Sequence, residues 1–467
     1  MTKLQEKYKE ISLLSDIQAI LSWDEEVNMP EKAAENRGEQ TAFLVSLLAD
    51  KWQDKTFQDL ISKEKNKNTK RILERSLKIY NKIPKKLLIE ESKLISESFT
   101  AWVEARKKKD FNIFAPYLEK LIYISRKKAK YLGYKNNPYD ALLDLHEPGL
   151  TAEFVENLFS KLTPQLLEII KNIKQTKKHT KFNMNINKQK EIAGFVLQKM
   201  GYDFNAGRMD VAPHPFETTL GRFDVRITNR YDEKSLESLT GAMHEGGHAL
   251  YEQGADLKYE NTPLDHGVSL GIHESQSRFW ENMIGRSRQF CKYISSKYNL
   301  TPDEIYNLLN KVEKSFIRVD ADEVTYNLHI AIRFEIENDL INGKIKVKDL
   351  PEVWNSKMKK YLGITPKNNS EGVLQDIHWA HNSFGYFPTY TLGNLYAGQW
   401  YYFLKKDIKN FDKLVESGNF KPILNWLRKN IHQYGSFYYP DELVKRVTGE
   451  SLNPDYFVNY LKEKYES

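Results

Sequence analysis

The sequence predicts a mainly α-helical protein with one small β element. Two observations point there: apolar residues recur at three- and four-residue intervals behind recognisable N-caps, and one segment breaks that period by alternating strictly. Residues 151–171 put Phe154, Val155, Leu158, Leu162 and Leu166 on one stripe, with Thr151 as N-cap. Phe223-Asp224-Val225-Arg226-Ile227-Thr228 alternates apolar and polar, the pattern of a half-buried strand with Asp224, Arg226 and Thr228 on one face. A strand beside a helix can also hold an extended peptide by backbone pairing. Residues 301–317 open with a capping box, Thr301-Pro302 with Glu304, and continue with Ile305, Leu308, Leu309, Val312 and Phe316 at helical spacing. The stretch 386–404 is the most membrane-like, yet Asn394 and Gln399 interrupt it, so it reads as a buried aromatic-rich helix. A last helix starts at Asn453-Pro454 and buries Phe457, Tyr460 and Leu461.

With no repeat, low-complexity linker or Gly/Ser hinge, one continuous architecture is expected over 1–467, a helical part to about 200 and a second part from about 201. Hydrophobic residues at 40% and charged residues at 28% describe an ordinary globular chain. The net charge of +7 is modest for this length, and the lysine-rich stretches 64–71 and 174–190 read as solvated loops and helix faces, not as a nucleic-acid surface. One cysteine, Cys291, permits no internal disulfide, which suits a reducing compartment. The N-terminus is charged and lacks the apolar core of a signal peptide, so a cytoplasmic protein is expected, with no membrane partner.

The chemistry is carried by His244-Glu245-Gly246-Gly247-His248. On a helix the two histidines sit roughly 40° apart around the axis and about 5–6 Å along it, so both imidazoles reach one ion, while Glu245 points roughly 60° further round, near a metal-bound water. Two glycines on that turn are costly in a helix and point to close backbone approach or to simple tolerance. A catalytic zinc usually takes three protein ligands. A third histidine six residues after the second, behind a glycine at the third, is excluded, because those positions hold Gly254 and Tyr251. A glutamate from a downstream helix is the other common solution. Glu274 in Gly271-Ile272-His273-Glu274-Ser275-Gln276 is the candidate, with Glu252, Glu260 and Glu281 as competitors; Glu252 reads as a surface residue and Glu260 as part of a polar loop.

At this point the chain resembles the M32, or Taq-type, metallocarboxypeptidases nearly end to end. The shared motifs are His214-Pro215-Phe216 (HPF), Asp224 to Thr228 (DxRxT), His273-Glu274-Ser275-Gln276 (HESQ), Ile317 to Asp322 (IRxxAD) and Gly372 to Trp379 (GxxQDxHW), with the zinc motif between the second and third. Ser22-Trp23-Asp24, Met29-Pro30, Pro138-Tyr139-Asp140 and Glu147-Pro148-Gly149 extend the likeness. The resemblance implies metal ligands His244, His248 and Glu274, with Glu245 as catalytic base. It also implies a nearly all-helical zincin fold with a deep active-site groove and a small sheet near the motif helix, a homodimer, and zinc with cobalt as substitute. Its members remove C-terminal residues with broad preference, usually failing at proline.

A tetrahedral oxyanion needs a hydrogen-bond donor besides the metal. The stretch 378–391 offers His378, His381, Tyr386 and Tyr390, and resemblance to related helical zinc peptidases favours His378 and Tyr386. Recognition of a terminal carboxylate suits a guanidinium, whose planar fork binds it bidentately. Arg226, on the strand, and Arg318 are the candidates; Asp320 and Asp322 offer Arg318 a structural ion pair instead. A zinc oligopeptidase cutting internal bonds shares every metal residue, and a non-catalytic helical binding protein with a relict site is the remaining alternative.

Overall fold

The computed structural model describes residues 2–173 and 181–466. The lysine-rich reading of 174–190 therefore falls partly outside the described residues, at 174–180. The chain forms two compact units, each assembled from three separate segments. One takes residues 1–14, 29–171 and 312–391, the other 15–28, 172–311 and 392–467. Both are helical. Among the described residues, no helix is long and apolar enough to cross a membrane.

In the first unit, a cluster of Leu4, Ile11, Leu48, Trp52, Phe57, Ile61 and Leu73 makes one core. The helix Tyr326–Ile341 is buried on nearly every face, as a helix without a polar stripe must be. It carries Glu337, which accepts from Tyr139 Oη at 2.6 Å, Trp379 Nε1 at 2.8 Å and the Gly385 amide at 2.9 Å. The helix Ala152–Asn172 buries Val155, Leu158, Leu162 and Leu166, and Thr151 Oγ1 accepts from the Phe154 amide. Phe154 itself stands outside the predicted stripe, 47% exposed.

In the second unit, the helix Glu237–Glu252 is surrounded by the helix Ile186–Met200, the segment Leu270–Gly285 and a small sheet. The sheet has β1 (Met209–Val211), β2 (Glu217–Thr219) and β3 (Val225–Asn229) in the order β1-β3-β2. β3 runs parallel to β1, pairing Ile227 with Met209, and antiparallel to β2, pairing Arg226 with Thr218. The predicted strand is thus real but starts later. Phe223 and Asp224 belong to the β2–β3 turn, closed by the Leu220 amide on the Asp224 carbonyl and opened by Gly221 at φ +147°, where a side chain is strained. Thr228 is buried rather than on a polar outer face. Both edges of β3 are occupied by its neighbours, which corrects the expectation that this strand pairs with a peptide; only the outer edges of β1 and β2 are left for that.

The helix predicted from Thr301 is shorter than its periodicity. The capping box forms, but the helix spans Pro302–Leu309 and stops at Asn310. The Asn310 side chain donates to the Arg286 and Tyr306 carbonyls, and Arg286 donates to the Leu309 carbonyl, so the last turn is closed from outside. The chain leaves the second unit for the first two residues later. Pro388–Asp407 is a helix with Leu395, Trp400 and Leu404 fully buried. Of its two polar interruptions, Gln399 is satisfied, since its Nε2 donates to Thr448 Oγ1 and the Ser451 carbonyl and its Oε1 accepts from the Asn453 amide. The final helix, Asp455–Tyr465, buries Phe457, Val458 and Leu461.

Candidate metal centre

The motif helix needs close neighbours to aim its histidines. A β-carbon on Gly247 would lie 2.6 Å from the Gln276 carbonyl oxygen and 2.7 Å from Ser277 Cα, so the missing side chain lets the backbone of Leu270–Arg278 dock against this turn. That helix starts at Ser269, whose side chain accepts from the Ile272 amide. It presents Glu274 one turn in. Gly393 packs against Glu274 from the other side, where a β-carbon would fall 2.3 Å from Glu274 Cγ.

The result is a cluster of His244, His248 and Glu274 whose ligand atoms all lie within 4.8 Å of one another. Glu274 Oε2 is 3.6 Å from His244 Nε2 and 3.3 Å from His248 Nε2. Its other oxygen accepts from Arg278 Nε at 2.6 Å, which turns a single carboxylate oxygen toward the two imidazoles. The backs of the imidazoles are also engaged. His244 Nδ1 is 2.8 Å from Glu281 Oε2, and His248 Nδ1 is 2.5 Å from His273 Nδ1. Two Nε2 atoms and one carboxylate oxygen, with both Nδ1 atoms held from behind, is the donor set of a divalent-metal site.

The competing carboxylates sit elsewhere. Glu281 lies on the π-helical continuation Phe279–Gly285 and orients His244, itself clamped by Arg278 at 3.1 Å and Arg286 at 3.0 Å. Glu252, expected at the surface, is buried and accepts from His273 Nε2 at 3.0 Å. Glu260 is exposed. His273 was missed by spacing alone; its place beside Glu274 in the HESQ motif was the available signal.

The electrostatics fit a cation. Burial pushes the Glu245 carboxyl up to about 7, only partly offset by His244, whose Nε2 is 4.0 Å away. Against the cost of burial, Arg278 foremost and then His244 and His248 hold Glu274 well below the usual carboxylate range. Burial drives His248 down to about 3, whereas His244, although buried, is raised by the carboxylates of Glu274, Glu281 and Glu245 around it. A neutral His248 and an ionised Glu274 are the protonation states in which these groups can ligate a metal.

Arg226 lies on β3 in the same unit. Its Nε and Nη2 donate to Asp224 at 2.7 Å each, its guanidinium stacks 4.4 Å from the Trp23 ring, and its side chain keeps 20% exposure. In the other unit, Arg318 is buried. It forms an ion pair with Asp376, at 2.9 Å, and its Nη1 donates to Tyr326 Oη at 2.8 Å. Asp322 instead accepts from the Val324, Thr325 and Glu313 amides. Asp376 also binds Arg333 at 2.6 Å, and Gln375 Oε1 accepts from both Arg333 and the Arg318 amide. The Gly372–Trp379 motif is therefore the clamp for two arginines. His378 Nε2 is 2.9 Å from Tyr390 Oη, and its ring lies 5.3 Å from that of Tyr386. Tyr390, set second to Tyr386 by sequence, thus makes the hydrogen bond.

Residues 3–465 match the family model described as carboxypeptidase Taq (M32) metallopeptidase. The chain is 43% identical to thermostable carboxypeptidase 1 of Pyrococcus furiosus, covering 98% of this chain and 97% of the relative. It is 41% identical to carboxypeptidase 1 of Bacillus subtilis, covering 98% and 96%. Among solved structures, the M32 carboxypeptidase of Deinococcus radiodurans superposes with a TM-score of 0.94 at 34% identity, over 99% of this chain and 98% of that one. A Pyrococcus furiosus carboxypeptidase gives 0.93 at 41%, over 100% and 99%.

Proposed function

The chain belongs to the carboxypeptidase Taq (M32) metallopeptidase family and is a carboxypeptidase, a hydrolase of peptide bonds, and from that premise we propose that it works with zinc held by His244, His248 and Glu274, with Glu245 as general base. The convergence of two Nε2 atoms and Glu274 Oε2 within 4.8 Å is the observation that supports this reading. When bound, zinc lowers the pKa of a coordinated water toward about 7 and polarises the scissile carbonyl; imidazole and carboxylate ligands also accept cobalt.

Glu245 takes the proton of the attacking water and returns it to the leaving amine. Its burial supports the first task, because a carboxylate raised toward 7 is a stronger base than one in water. Glu281 and Arg278 hold His244 and Glu274 in place while charge moves. His378 and Tyr386 are the donors we assign to the tetrahedral oxygen, and Arg226 and Arg318 the guanidinium groups we assign to the substrate's terminal carboxylate. Asp376 keeps Arg318 charged, well above its ordinary range. The substrates in this reading are peptides with a free C-terminus, shortened one residue at a time with broad side-chain preference. The enzyme acts as a homodimer in the cytoplasm, where its single buried cysteine stays reduced.

Incubation of the zinc-loaded protein with a peptide, as free acid and as C-terminal amide, tests this. Mass spectrometry should show stepwise loss of single C-terminal residues from the acid and an intact amide; equal cleavage of both would reject exopeptidase action. Glu245→Gln should lower kcat by about 10²–10⁴-fold with zinc content unchanged.

A further inference from the structure

His273 and Glu252 lie behind the motif turn and have no part in the chemistry above. The His248 and His273 rings stand 4.7 Å apart, tilted by 31°, with their Nδ1 atoms 2.5 Å apart. On its far side His273 Nε2 lies 3.0 Å from Glu252 Oε1. That oxygen also accepts from the Gly267 amide at 3.0 Å, and the other faces His266 Nδ1 at 3.6 Å. Gly267 closes over the array: a β-carbon there would sit 2.9 Å from both His273 Cδ2 and the Tyr251 ring.

A contact between two Nδ1 atoms holds a single proton, and which ring owns it decides whether His248 can be a ligand. If His273 donates, the proton of neutral His248 sits on Nε2 and blocks the lone pair aimed at the site. If His248 donates, its Nε2 is free, and the proton of neutral His273 sits on its own Nε2, where Glu252 accepts it. A carboxylate has no proton to give, so between these two arrangements of neutral rings Glu252 selects the second. We propose that His273, fixed by Glu252, is a positioning residue that sets the ligand-competent tautomer of His248. The two metal histidines are then backed unequally, His244 by a carboxylate directly and His248 by a carboxylate acting through a second imidazole.

The inference rests on the metal reading above, and the test separates the two. Zinc affinity of the full-length protein is measured by competition with a chromophoric chelator, and the cobalt-substituted protein by its visible absorption. His273→Phe keeps a ring and removes both nitrogens; it should bind zinc about 10–100-fold more weakly and shift the cobalt bands. His273→Asn keeps an acceptor near the Nδ1 position and should stay within roughly threefold of wild type. Glu252→Gln, which keeps shape and drops the charge, should fall between them and decides the matter if His273→Phe does not fold. A Glu252→Gln protein with wild-type affinity and spectrum overturns the relay. So does His273→Phe matching wild type, or His273→Asn losing as much as His273→Phe. Wild-type protein that takes up no zinc overturns the metal reading, and the relay with it; wild type with one zinc, equalled by His273→Phe, overturns the relay alone.

Discussion

At Gly247 an added β-carbon meets three backbone atoms, the nearest at 2.6 Å, whereas at Gly246 it meets the end of the Leu197 side chain at 2.5 Å. Backbone cannot swing aside and a leucine methyl can. Gly247→Ala should therefore cost about 1–3 kcal/mol and loosen zinc binding, because the displaced strand of chain is the one carrying Glu274. Gly246→Ala should cost clearly less. Thermal denaturation of the two variants checks this, and a larger loss at 246 would refute it. The sequence made the glycine pair conspicuous but could not say which of the two was needed, since both break the same helix rule. The ligand pair His244 and His248 was legible because four-residue spacing on a helix is itself geometry. Glu281 and Glu252 were not, because their partners lie on other elements. A glutamate one turn beyond a histidine looks solvated until the element packing over it is known.

At the scale of elements, caps were legible and ends were not. Thr301 accepts from the Glu304 amide, and Glu304 Oε2 accepts from the Thr301 amide at 2.8 Å, as the four residues foretold. Thr301→Ala should cost about 1 kcal/mol, read as a lowered urea midpoint; an unchanged midpoint would mean that tertiary packing alone holds this helix. Val312 and Phe316 kept helical spacing beyond the true end, for the stop at Asn310 is fixed by its contacts with Arg286, which lies outside the local sequence. The alternating segment announced a strand but not its place in the sheet. Period two reports which faces are buried and is silent about edges, so the central position of β3 had to come from the structure.

At the scale of the molecule, the helical class and the order of the motifs were legible, whereas the segmentation into units was not, because hydrophobic spacing carries no record of long-range partners. Buried neutral imidazoles make the fold acid-sensitive. His432 is fully buried and burial drives it down to about 3, while an unfolded histidine titrates near 6.5. Unfolding thus takes up a proton below pH 6.5, so this stability is whole above 6.5 and is lost as pH falls toward 3, on the order of 1.4 kcal/mol per pKa unit. His329, buried beside Arg333 and Arg318, acts in the same direction. His432→Gln, which retains a partner for Gln276, should flatten the fall of the urea midpoint between pH 7 and 4.5; parallel curves would refute the assignment. The segmented build also bears on synthesis. Because one unit needs residues up to 391 and the other needs 392–467, neither can close while much of the polypeptide is still on the ribosome. At about 5–20 residues per second the nascent chain waits tens of seconds with apolar helices unmatched, and chaperone demand during translation should exceed that of a protein whose domains emerge one after the other.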